Sequence, residues 1–113
     1  MNTKISNYYL SKAVRNGRCG TDPKSLTRYL SICNYAADNL PSDQARQLHI
    51  DVMNLLMETV CDDLIAKCWR GWCLDNIYVP LQNVRKLSVT PYEKQELFRL
   101  EAQMRTLSSY FLT

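Results

Sequence analysis

The chain has 113 residues, of which 46% are hydrophobic and 22% charged, with a formal net charge of +3. That balance excludes a disordered chain and provides for a single domain, residues 1–113, around one core. Three glycines and four prolines leave little for a turn-rich β fold, and no apolar run nears the ~20 residues that span a bilayer.

Charge is laid out in blocks. Residues 1–28 hold six basic residues against Asp22, and 38–63 hold six acids against Arg46. Neither the total nor the pattern is the uniform basic coat of a dedicated nucleic-acid binder. The first 21 residues lack acids and so resemble an organellar transit peptide in composition. Tyr8, Tyr9 and Leu10 favour a basic first helix that belongs to the folded domain.

The first predicted helix covers roughly 3–16, with Ile5, Tyr9 and Ala13 on one stripe and Leu10 and Val14 beside it. Gly17 stands where a left-handed residue would end it. After the loop RNGRCGTDP, Thr21 or Asp22 caps a second helix and Pro23 opens it. Leu26, Tyr29, Leu30, Cys33, Ala36, Ala37 and Leu40 recur on it at helical spacing.

Pro41-Ser42 separates this helix from a long third one, expected over 42–70 as the organising element. Leu48, Val52, Leu55, Leu56, Val60, Leu64 and Cys68 mark its stripe. Ile77, Tyr78 and Val79 favour an extended piece; the preferred reading is a loop, followed by a short helix that Pro80 opens and that carries Leu81, Val84 and Leu87. Thr90-Pro91-Tyr92-Glu93 is a capping-box pattern before the final helix. The sum is an all-α fold of about five helices.

Three of five cysteines and both tryptophans fall in CDDLIAKCWRGWCLDN, residues 61–76. The principal reading is the end of the third helix, with Lys67 and Arg70 complementing its dipole and Gly71 as a left-handed cap. Trp69, Arg70 and Trp72 have the residue types of binding hot spots, so they are the candidate partner-binding anchors, with Asp62 and Asp63 giving electrostatic selectivity. A zinc or redox site is not expected, because there is no C-x-x-C and only one histidine. Cys33, Cys61 and Cys68 sit on apolar helical positions, which points to reduced, buried thiols and a cytoplasmic protein. A Cys68–Cys73 bridge is the disulfide alternative.

The remaining motifs carry less. A helix-turn-helix at 36–52 fails on Pro41, Arg46 and an acidic second helix. His49 and Asp51 diverge on one helix, and the expectation is a solvated face. Leu97, Leu100, Met104, Leu107 and Phe111 recur at spacings of 3, 4, 3 and 4, which would suit packing within the domain or a homodimer seam.

No catalytic or cofactor constellation is present, and no cofactor, metal or membrane is expected. The function expected is protein–protein binding, as a modulator, inhibitor, adaptor or immunity-type factor. The alternative is a nucleic-acid-binding regulator in which Arg15, Arg18, Lys24 and Arg28 contact phosphates and Tyr8 or Tyr9 stacks on bases.

Overall fold

Six helices run through residues 3–112, the part of the chain that the computed structural model describes, with side chains from 8 to 111. They are α1 (Thr3–Arg15), α2 (Lys24–Asp38), α3 (Ser42–Cys61), α4 (Lys67–Asp75), α5 (Tyr78–Leu87) and α6 (Pro91–Leu112). The all-α expectation holds, with α3 at the centre and packed against each of the other five helices. The side chains of Lys4 and Ile5 lie outside the described ones.

Local signals set the helix starts. Asp22 Oδ1 accepts the Lys24 amide at 3.0 Å, and Pro23 already has helical angles. In α6 the Thr90 hydroxyl accepts the Glu93 amide at 3.2 Å, while Glu93 Oε1 accepts the Thr90 and Val89 amides at 3.0 Å. This reciprocal satisfaction of orphan donors makes the α6 start well defined.

The long third helix is corrected: it stops at Cys61, and a second helix begins at Lys67. Asp62 causes the break. Its Oδ1 accepts the Leu64 amide at 2.9 Å, and its Oδ2 accepts a hydrogen bond from Arg15 Nη1 at 2.8 Å. A short acidic side chain that bonds its own backbone offers the chain an alternative to the helix. Arg70 then reaches back to satisfy a terminal carbonyl of α3, its Nε donating to Val60 O at 2.7 Å.

Lys67 and Arg70 are therefore in a new helix rather than the last turn of α3, and Gly71 lies inside it. Neither Gly17 nor Gly71 is left-handed. Gly17 is needed for space, because a Cβ there would fall inside the Trp69 indole. The extended piece expected at 77–79 is also absent. Ile77 has helical angles and is fully buried, and Pro80 sits in the first turn of α5, where its missing amide costs no helical bond.

The core joins Val14, Leu26, Leu30, Cys33, Val52, Met53, Leu56, Val60, Trp69, Ile77, Leu81, Val84 and Leu100. A buried polar node lies beside it. Arg46 Nε donates to Ser88 Oγ at 3.0 Å, Nη1 to Glu96 Oε1 at 2.7 Å and Nη2 to Glu93 O at 2.9 Å. A buried guanidinium is tolerated only when its donors are satisfied, and this one fastens α6 to α3.

The cysteine expectation is overturned in part. Cys19 and Cys68 form a disulfide, with Cα atoms 5.7 Å apart, that ties the α1–α2 loop to the first turn of α4. Both residues are exposed, as is Cys61, whereas Cys33 and Cys73 are buried. Burial pushes the Cys73 thiol up to about 12. No helix of the described residues is long and apolar enough to cross a membrane.

Candidate functional site

The CWRGWC segment is mostly consumed by the fold. Trp69 is 0% exposed, and its Nε1 donates to Val14 O at 2.7 Å. It offers no surface to a partner, so the anchor expected there is corrected to a core residue. Trp72 meets Trp69 edge-on at 5.8 Å and keeps 37% of its surface open.

Arg70 is half-buried by its bond to Val60 O, and its guanidinium lies 5.4 Å from the Phe111 ring centre. Asp62 is committed to Arg15, whose hydrogen bond holds its carboxyl below the usual range. Only Asp63 of the expected acidic pair is well exposed, at 3.5 Å from Arg70.

The N-terminal basic set is divided. Tyr8 and Tyr9 are exposed, with rings 5.7 Å apart, and the Lys12 ammonium lies 5.6 Å from the Tyr8 ring. Arg18, Lys24 and Arg28 face solvent. Arg15 does not join them, because it is spent on Asp62.

The C-terminal stripe faces inward. Leu100 is buried, and Leu97, Met104, Leu107 and Phe111 pack against the core. Of the two uses that its spacing suits, the stripe serves packing within the domain, with all but Leu100 only partly buried.

The residues that the sequence reading missed lie on the opposite side of α6. Phe98 is 69% exposed and Tyr110 79% exposed. Two shallow grooves meet between them at Arg99 and Ala102. One runs toward Lys94 and Phe98, the other toward Thr106, Tyr110 and Cys61 at the end of α3.

Charge is segregated across this helix. Glu93 is held by the Thr90 and Val89 amides, Glu96 by Arg46, and Glu101 by Arg85 at 2.8 Å. All three carboxylates of α6 are thus engaged by the rest of the fold. Lys94, Arg99 and Arg105 are exposed and, among the described residues, have no carboxylate within ion-pair distance. The signal for this face was available as aromatic, small and basic residues at the positions that the apolar stripe leaves out.

His49 is also corrected. It is buried rather than on a solvated face, and burial lowers its pKa while the Asp38 charge pulls it upward. Asp51, two residues on, accepts a bond from Gln47 Nε2 at 2.9 Å. Among the described residues no three metal-ligating side chains converge. Comparison with protein families, curated proteins and solved structures finds no match to this chain.

Proposed function

We propose that this protein is a non-catalytic binding domain whose contact surface is the outward face of α6. One observation carries the reading: two large exposed rings, Phe98 and Tyr110, flank an apolar floor beneath cations whose own carboxylates are all engaged elsewhere. Aromatic residues bury much area at low entropy cost, and cationic rims select partners and speed association. The partner that fits is a protein segment with an apolar ridge flanked by Asp or Glu. A modulator or inhibitor acting by occupancy needs nothing more.

The Cys19–Cys68 bridge supports folding in an oxidising compartment and removes the basis for a cytoplasmic location, which rested on reduced thiols. A dimer through the 97–111 stripe would have to share residues that already pack against the core.

The test is capture from nuclease-treated native-host extract, comparing wild type with Phe98→Ser/Tyr110→Ser and with Arg99→Glu/Arg105→Glu. The reading expects a stoichiometric protein on wild type that both variants lose while their circular dichroism is unchanged. Reversing acids on that protein to Lys should restore binding to the Arg99→Glu/Arg105→Glu variant. Retention unaffected by either pair would end it. A second reading, nucleic-acid binding, is favoured by exposed Tyr8 and Tyr9 beside Arg18, Lys24 and Arg28. It expects capture that vanishes with nuclease and weakens steeply with salt.

A further inference from the structure

A cleft of about 350 Å³ opens where the end of α2, the first turns of α3 and the last turn of α5 meet. Its size falls in the range of small-molecule sites, from roughly 300 to 1,000 Å³. Its lining differs from the α6 grooves in being largely polar: Asp38, Ser42, His49, Asn83 and Lys86 converge on it. It is independent of the α6 face in both residues and chemistry.

His49 is the unusual member. It is 5% exposed, yet none of the hydrogen bonds among the described residues involves its ring. Among the described residues, no fully enclosed side-chain nitrogen or oxygen lacks a partner. The ring nitrogens of His49 are therefore not fully enclosed, and the cleft that the residue lines is their opening. A nearly buried ring whose nitrogens open into a cleft takes its hydrogen bonds from whatever enters that cleft, water or ligand.

The rim adds opposite charges that are not used on each other. Asp38 and Lys86 both line the cleft and are exposed, and among the described residues neither takes part in an ion pair. On the Ser42 side the long helix α3 begins with no side chain capping its first amides. Asp43 already places one negative charge in the first turn of α3; the amides at the helix start and Lys86 on the same cleft still favour a further one. Asp38 at the end of α2 favours a cation.

We propose that this cleft is a binding site for a small zwitterion of the free α-amino-acid class. The ligand carboxylate lies toward Lys86 and the start of α3, its ammonium toward Asp38, and its side chain over His49 and the neighbouring Leu87. A zwitterion meets both Lys86 and Asp38 with opposite charge, whereas a simple anion or a simple amine meets only one of them.

His49 is the chain's one histidine, so its imidazole signals are an unambiguous reporter. The experiment records them by NMR at pH 7 while L-serine, L-glutamine, L-leucine or L-phenylalanine is added up to about 10 mM, a range that reveals millimolar affinity. Sodium acetate and methylammonium chloride serve as the single-charge controls.

At least one amino acid should shift the His49 signals saturably, with neither control doing so. Asp38→Asn and Lys86→Gln, both at exposed positions, should keep the fold by circular dichroism and weaken binding about tenfold or more each. An equal shift with acetate alone overturns the zwitterion assignment. No saturable shift with any of the four amino acids overturns the site.

Discussion

Helices α4 and α6 invert what their compositions suggest. Helix α4 has both tryptophans, an arginine and two cysteines in nine residues, the material of a binding hot spot, yet the fold consumes nearly all of it. Trp69 closes the core against Gly17, Arg70 caps α3, Cys68 is bridged to Cys19 and Cys73 is buried. Helix α6 looks ordinary, but it packs one side and leaves Phe98, Tyr110 and three cations on the other. Residue type marks the capacity for recognition; what the neighbours leave unoccupied decides where recognition takes place.

Substitutions should separate the two helices. Trp69→Ala removes a fully buried indole and its bond to Val14 O, and should cost about 3–5 kcal/mol by chemical denaturation. Trp72→Ala, on the same helix but partly open, should cost well under half of that. Equal losses would mean that the two rings are not divided between core and surface.

The fastening of α6 can be broken without touching its outer face. Arg46→Ala leaves Glu96 without its ion-pair partner and Ser88 Oγ with only Val84 O, and should destabilise by about 3–5 kcal/mol. Cys19→Ser opens the bridge between the α1–α2 loop and α4, with an expected loss of about 2–4 kcal/mol in non-reducing buffer. The same variant should lose little further stability on adding reductant, whereas wild type should fall to meet it.

Acidification separates the regions in a graded way. His49 is held below its ordinary 6.5 by burial, partly offset by Asp38, with Lys86 the other charged group on its cleft. In the unfolded chain it takes up a proton first, so stability should begin to fall as pH drops below about 6.5 and level off below the folded value. Asp62 and Glu93 are held low by Arg15 and by the Thr90 amide respectively, so their stabilisation is present above the ordinary carboxylate range and lost as pH falls through their folded values. Thermal melts of wild type and His49→Gln from pH 7 to 3 should diverge first near pH 6. Parallel curves would contradict the burial of a titrating ring.

The smallest effect is expected where function is proposed. Phe98→Ser and Tyr110→Ser should each change stability by no more than about 0.5 kcal/mol, as exposed positions do. A loss of 2 kcal/mol or more, on the order of a buried aromatic, would return that face to the fold.

Short-range chemistry was readable in the sequence. The Asp22-Pro23 start, the Thr90–Glu93 capping box and the inward stripe of α6 each depend on residues within a few turns of one another. The break at Asp62 was not readable, because it is completed by Arg15, 47 positions earlier. Cys19 finds Cys68 across 49 residues, and Trp69 finds Val14 across 55. No local pattern encodes such meetings, so CWRGWC read as an open patch. The outer face of α6 was implicit in the residues that its apolar stripe omits.

The most direct measurement places a photo-crosslinking benzophenone amino acid at position 98 or at position 72 and irradiates the protein in its native host. The account predicts a defined protein adduct from position 98, abolished when Arg99→Glu/Arg105→Glu is combined with it, and little from position 72. A strong adduct from position 72 with none from position 98 would contradict it and return the binding surface to the tryptophan segment.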